Sequence, residues 1–348
     1  MEKNMRTITL GRTGITTVQN AFGVLPLQRT PTSEAVKILQ KAYEGGITFY
    51  DTARAYSDSE EKIGLALSDV RKNIFIATKT MAQNTEDMKK QLETSLKTLK
   101  TDYIDKYQFH CASHCISPED KSGMYELMEE FKRQGLIRHI GITAHKIGVG
   151  EESISSGLYE TLQFPFSYLS SERELRLAEK CKAHNMGFIA MKGLGGGIIT
   201  DSRAAYAFMG QYDNVLPIWG IQREKELDEW LSYMNNTPEM TEEIQKLIHS
   251  DREELSGSFC RGCGYCMPCP AGIQINNCAR MSLMLRRAPS ESWLSETWQN
   301  NMKQIENCLN CGQCRSKCPY ELDAPKLLKE NYEDYKRVLK GEVNTNPF

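Results

Sequence analysis

From near its start to about residue 235 the chain repeats one pattern, a short β-rich run followed by a longer amphipathic segment. The runs are ITFYD (47–51), NIFIATK (73–79), YIDKYQFH (103–110), RHIGIT (138–143), ETLQF (160–164), MGFIAMK (186–192) and NVLPIWG (214–220). Between them lie segments such as SEAVKILQKAYEGG (33–46), TEDMKKQLETSLKTLK (85–100) and GMYELMEEFKRQG (123–135). Their apolar residues recur at helical spacing, and several end in glycine, a helix stop signal. TTVQNAFG (16–23) supplies an eighth run. Strands that alternate with helices favour a parallel sheet, and eight such units predict a closed (β/α)8 TIM barrel of the α/β class. TITLGRTGI (7–15), ahead of the first barrel strand, predicts a small hairpin over the barrel bottom.

The cysteines follow a different logic. Twelve are present; Cys111, Cys115 and Cys181 precede residue 255 and the other nine follow it. In a reducing compartment, dense and regular cysteine spacing argues for metal binding over disulfides. Cys308, Cys311, Cys314 and Cys318, the last followed by Pro319, give C-x2-C-x2-C-x3-C-P, the bacterial ferredoxin run for a cubane iron–sulfur cluster. Three closely spaced thiolates wrap one cluster and the fourth reaches elsewhere. Cys260, Cys263, Cys266 and Cys269, followed by Pro270, form a near copy whose last gap is one residue shorter.

Two runs imply two 4Fe–4S clusters with crossed ligation. Cys260, Cys263, Cys266 and Cys318 would hold the first, and Cys308, Cys311, Cys314 and Cys269 the second. Zinc, which also takes C-x2-C pairs, is the alternative. Cys278 stands outside both runs and reads as a packed thiol. The expected organisation is a barrel over 1–240 and a small, mainly α-helical, ferredoxin-like iron–sulfur domain over 241–348. The polar stretch NNTPEMTEEIQKLIHSDREEL (235–255) connects them.

A net charge of −2 over 348 residues gives no reason to expect nucleic acid or a membrane surface as partner. No apolar run approaches the length of a membrane span, and MEKNMRTITLGRTG lacks a signal-peptide core, so a soluble, cytoplasmic protein is expected.

Barrels of this type carry their reactive groups at the C-terminal ends of strands. Asp51 ends one strand run, with Tyr56 in the loop after it (DTARAY); Lys79 ends the next and His110 the one after. Together with LGRTGI (10–15) and SLKTLKTDYIDKYQFH (95–110), these residues make roughly residues 5–235 resemble the aldo-keto reductase superfamily. The resemblance implies a catalytic tetrad. Tyr56 would donate the proton, Lys79 would lower its pKa by stabilising phenolate, Asp51 would hold Lys79 charged, and His110 would orient a substrate carbonyl. A nicotinamide cofactor would supply the hydride, so NAD(P)H and a small carbonyl or alcohol substrate are expected.

The resemblance also implies cofactor contacts at Thr143, Gln163, Met191, Lys192, Leu194, Gly196, Gly220 and Arg223. Several depart from the family pattern. Thr143 replaces a serine, Ala144 an asparagine, and Met191 an aromatic ring that stacks on the nicotinamide. Glu226 stands where an arginine usually meets a 2′-phosphate, which weakens the case for NADPH. HCASHC (110–115) reads as small loop residues; a redox pair or extra metal site would need further ligands.

The C-terminal part resembles the dicluster ferredoxin-like domain found in one branch of aldo-keto reductase-like proteins. Nicotinamide moves two electrons and each cluster one, so direct exchange between them needs a converter such as a flavin. KGLGGG (192–197) lacks the spacing of a flavin or dinucleotide fingerprint. Three readings stay open: a reductase whose clusters are structural, a reductase fed through its clusters by a ferredoxin or flavoprotein partner, and an electron-transfer subunit without turnover.

Overall fold

The computed structural model describes residues 5–255 and 259–345. The chain divides into two units, one reaching Gly193 and resuming over Arg203–Thr241, the other combining Leu194–Ser202 with the residues from Glu242 onward. The segment 194–202, which a boundary after residue 240 leaves with the barrel, thus groups with the C-terminal unit.

The first unit opens on a hairpin, β1 (Thr7–Thr9) paired antiparallel with β2 (Thr16–Val18). Eight parallel strands then close a barrel: β3 (Ala21–Gly23), β4 (Phe49–Asp51), β5 (Phe75–Thr80), β6 (Ile104–Phe109), β7 (Ile137–Thr143), β8 (Thr161–Pro165), β9 (Gly187–Met191) and β10 (Val215–Gly220), with β10 pairing back to β3. Helices α1 (Thr32–Glu44), α2 (Ser59–Leu67), α3 (Thr85–Leu99), α4 (Met124–Arg133), α5 (Ile147–Ser156), α6 (Glu172–Ala183), α7 (Ser202–Met209) and α8 (Glu224–Asn235) alternate with the strands. The (β/α)8 reading holds.

One expected strand is corrected. The run 16–23 is two strands in different sheets, because its middle residues are claimed elsewhere. Gln19 Nε2 donates to Tyr212 O at 2.7 Å and Val215 O at 2.9 Å, and Asn20 Nδ2 donates to Trp230 O at 3.0 Å. Both residues are buried, so these bonds satisfy the backbone carbonyls at the barrel seam and force the turn. The hairpin closes the barrel bottom: Ile8, Leu10 and Ile15 pack with Phe49, Ile189 and Leu216. Gly11, at φ 50°, lets the backbone meet Met186; a β-carbon there would lie 2.5 Å from Asn185 O.

The second unit is helical. It comprises α9 (Glu242–Glu254), α10 (Ile275–Cys278), α11 (Met281–Arg287), α12 (Glu296–Lys303), α13 (Gln313–Ser316) and α14 (Ala324–Leu339). The stretch expected as a connection is largely α9, tied to α11 by Arg287, which bonds Asp251 at 2.6 Å and Glu254 at 2.8 Å. Ile273, Met281, Leu285, Met302, Leu328 and Tyr335 form the core, in which Cys266, Cys278 and Cys314 are buried. Cys278 is a packed thiol, as its isolation from the two runs predicts. Among the described residues no helix is long and apolar enough to cross a membrane.

Candidate functional site

Strand alternation sets the barrel site. On β6 Lys106 and Gln108 share one face because successive residues point to opposite sides, and His110 follows directly after the strand. Asp51 ends β4 and Lys79 lies one residue before the end of β5, so the two carboxyl-side tips bring opposite charges together. Lys79 Nζ donates to Asp51 Oδ1 and to Thr52 O, both at 2.5 Å, and both side chains are buried. A buried ion pair persists only when its remaining donors and acceptors are matched. Here Gln163 Nε2 donates to Asp51 Oδ1 at 3.3 Å, and Gln108 Nε2 reaches Asp51 Oδ2 at 3.4 Å and Gln163 Oε1 at 3.1 Å.

Tyr56 hangs over this pair. Lys79 Nζ is 5.1 Å from the centre of its ring, and its hydroxyl is 3.5 Å from His110 Nε2. The two rings meet edge to face at 5.5 Å. The four residues singled out at successive strand ends therefore converge.

Their electrostatics differ from expectation in one respect. Burial raises the Tyr56 phenol above its ordinary value, with Asp51 and Cys111 adding to the effect. Lys79 does not reverse this, because its charge is matched by Asp51 and it approaches the ring rather than the hydroxyl. Tyr56 stays protonated, the state a proton donor needs. Burial and then Lys79 push His110 down to about 3, so its imidazole is neutral; Nδ1 is buried and meets no partner among the described residues. Burial also pushes His145 down to about 3, with Lys192 and His110 contributing.

These two histidines predict an acid limb in stability. Both are uncharged when folded but bind a proton below about 6.5 once unfolded. Protons thus favour the unfolded chain between pH 6.5 and about 3, and stability falls as pH drops through that window. Each group contributes up to about 5 kcal/mol. The denaturation midpoint should fall steeply over this range, and His145→Asn should flatten the slope; an unchanged slope would show that His145 is not buried neutral.

The expected cofactor contacts are distributed. Thr143 pairs in register with Gln163, and Gln163 Nε2 lies 4.0 Å from Met191 Sδ, so these three adjoin at one rim. Thr143 Oγ1 accepts from Cys111 N at 2.7 Å, which anchors the loop after β6. Lys192 adopts φ 58° directly after β9, and Gly220 ends β10. Arg223 is exposed and bound to Glu226 at 2.7 Å. Leu194 and Gly196 belong to the second unit. In the loop 111–123, His114 bonds Asp120 at 2.9 Å and Cys115 is buried.

Lys106 escaped the sequence reading. It is fully buried inside the barrel, its Nζ has no partner among the described residues, and burial, with Lys79 adding, holds its pKa well below the ordinary lysine value against the pull of Asp51. The signal was present in YIDKYQFH, where Lys106 sits two residues before Gln108 and four before His110.

In the second unit none of the eight cysteines of the two runs is joined in a disulfide. Two concavities divide them: one is lined by Cys260, Cys263 and Cys318, the other by Cys269, Cys308 and Cys311. Cys266 and Cys314, the third cysteine of each run, border both. The last cysteine of each run thus faces the other run's concavity. Burial pushes the Cys266 thiol up to about 12, with Cys260 and Cys263 contributing, and raises Cys260 and Cys314 as well. Such thiols ionise only when a cation replaces their protons. Among the described residues no three His, Cys, Asp or Glu side chains converge tightly enough to hold a single ion.

A parallel barrel with a buried Lys–Asp pair beneath a tyrosine defines an oxidoreductase of the aldo-keto reductase class. The family model for the aldo/keto reductase family matches residues 8–205, more than half the chain, and a model for a 4Fe-4S dicluster domain matches residues 259–323. The chain belongs to the aldo/keto reductase family and carries a 4Fe–4S dicluster domain. It is 30% identical over 215 residues to the uncharacterized oxidoreductase YqkF of Bacillus subtilis, covering 57% of this chain and 67% of that protein. It is 29% identical over 196 residues to the aldo-keto reductase YhdN of the same organism, covering 52% and 58%. The structure of an aldo-keto reductase from Klebsiella pneumoniae in complex with NADPH superposes with a TM-score of 0.60 at 19% identity, over 71% of this chain and 94% of that one, a likeness of fold.

Proposed function

We propose that the barrel reduces a small carbonyl compound, or oxidises the corresponding alcohol, by hydride transfer with NAD(P)H, in a cytoplasmic protein whose second unit holds two 4Fe–4S clusters. The observation that carries this reading is the buried Lys79–Asp51 pair under Tyr56, with neutral His110 at 3.5 Å from the phenol.

The residues fit the cofactor's nicotinamide end: a buried amide at Gln163 and a hydroxyl at Thr143 share the rim with Met191. The bound nicotinamide would supply the hydride. Neutral His110 Nε2 and the Tyr56 hydroxyl would grip the substrate oxygen, and Tyr56 would give up its proton as charge builds there. Lys79, held by Asp51, would favour the phenolate left behind. Hydride and proton together convert C=O to an alcohol.

At the other end the fit is selective. Glu226 accepts from Gln222 N at 2.8 Å and Arg223 N at 3.1 Å, capping α8 with its own carboxylate. That carboxylate, bonded to these amides and to the Arg223 guanidinium, offers a 2′-phosphate no donor and holds Arg223 away from one, so NADH should be preferred. Glu226→Arg is expected to move the kcat/KM ratio towards NADPH about tenfold, ~1.4 kcal/mol; an unmoved ratio would remove Glu226 from cofactor selection.

For the second unit, the two concavities support clusters ligated by Cys260, Cys263, Cys266 and Cys318, and by Cys308, Cys311, Cys314 and Cys269. A second reading, in which a ferredoxin or flavoprotein feeds electrons through the clusters, with or without a flavin, draws support from the exposure of Cys311 and of Leu309, 66% accessible beside it. Reduction of a small-carbonyl panel with NADH carrying deuterium at both C4 positions separates the two. Deuterium on the product carbon supports hydride transfer; unlabelled product overturns it.

A further inference from the structure

We propose that Arg280 raises the reduction potential of the cluster held by Cys260 above that of its neighbour, so that a single electron entering the pair comes to rest there. The inference rests on the crossed ligation proposed above and goes beyond it.

Arg280 stands at the start of α11 within the second unit. Its Nη1 donates to Gly196 O at 3.0 Å, while Nε is buried and meets no partner among the described residues. No carboxylate among the described residues pairs with it. Gly262, between the first two cysteines of its run, leaves room for the guanidinium: a β-carbon there would lie 2.9 Å from Arg280 Cζ. Gly262 N also donates towards Cys260 Sγ at 3.4 Å. The guanidinium therefore lies against the backbone turn that carries Cys260 and Cys263. Although burial lowers Arg280 from the usual guanidinium value, arginine remains charged at neutral pH.

The second concavity differs. Among the described residues no arginine or lysine lines it, and Arg315, beside Cys314 in sequence, is exposed and bound to Asp323 at 2.5 Å. A solvated, paired charge is screened, whereas a partly buried one with no carboxylate partner among the described residues acts at a lower effective dielectric. Reduction adds one negative charge to a cluster, and a fixed positive charge with an unspent N–H donor beside one ligand stabilises that state. The exposed loop around Leu309 and Cys311 makes the second cluster the point of entry. An electron delivered there by a one-electron carrier protein would oxidise that carrier, reduce the second cluster, and pass on to the first.

The test is an anaerobic redox titration with mediators, followed by EPR, on the full chain and on Arg280→Gln, Arg280→Lys and Arg315→Gln. Cys260→Ser, which alters the signal of the cluster it ligates, marks which signal is which. The wild type should reduce the Cys260 cluster first. Arg280→Gln should weaken that reduction tenfold or more, 59 mV per factor of ten for one electron, and leave the other cluster unmoved. Arg280→Lys, whose compact head cannot keep the same fork, should weaken it about threefold and stands in if the glutamine variant does not load iron. Arg315→Gln should change neither. Unchanged potentials in both Arg280 variants, or equal shifts of both clusters, would overturn the proposal. A wild type that binds no iron would instead overturn the cluster reading beneath it.

Discussion

Tyr56→Phe should lower carbonyl reduction by about 10³-fold, within the range a positioned general acid supplies, while leaving iron content and the visible absorbance of the clusters unchanged. The substitution is narrow in its structural effect. The ring keeps its cation–π approach to Lys79 at 5.1 Å and its edge contact with His110 at 5.5 Å. Only the hydroxyl at 3.5 Å from His110 is lost. Folding should therefore be close to that of the parent, unlike Lys79→Met, which strands Asp51 without its cation and should cost about 3–5 kcal/mol. Steady-state rates alongside the visible spectrum check the prediction. Activity within tenfold of the parent would show that Tyr56 is not the donor.

The second large effect concerns the clusters. Cys318→Ala should remove the cluster held by the run 260–266, not the one held by its own run, and Cys269→Ala should do the converse. The reason is placement: Cys318 lines the concavity of Cys260 and Cys263, and Cys269 that of Cys308 and Cys311. Iron should fall from about eight to about four atoms per chain in each variant. The EPR signal remaining in Cys318→Ala should match that of Cys263→Ala. A match with Cys311→Ala would mean that each run closes on its own cluster. Because metal binding and folding are coupled in such small units, thermal stability of the second unit should fall as well.

Much of this was legible in the sequence, and the exceptions have physical causes. The eight barrel strands showed because each β-rich run is followed by a helix of matching length, and the convergence of Asp51, Tyr56, Lys79 and His110 because they fall at or just beyond strand ends. The split of 16–23 was hidden: the hydrogen bonds of Gln19 and Asn20 go to carbonyls some two hundred residues away, and no local propensity reports them. The direction of the Tyr56 shift was misjudged for a similar reason. The sequence placed a lysine nearby, but not the burial and the Asp51 charge that outweigh it. The cysteine runs stood out by spacing alone, and in the structure their thiols line two concavities. Glu226, by contrast, was visible only as a departure; its capping of α8 needed coordinates.

One measurement addresses the account most directly: an anaerobic titration of the iron-loaded protein with NADH, followed at the cluster absorbance before and after a reducible carbonyl is added. Hydride transfer within the barrel predicts clusters that stay oxidised throughout, with NADH consumed in proportion to carbonyl only once the carbonyl is present. Clusters that bleach with NADH alone, or prereduced clusters that the carbonyl reoxidises without any nicotinamide, would contradict it and make the second unit the path of the electrons.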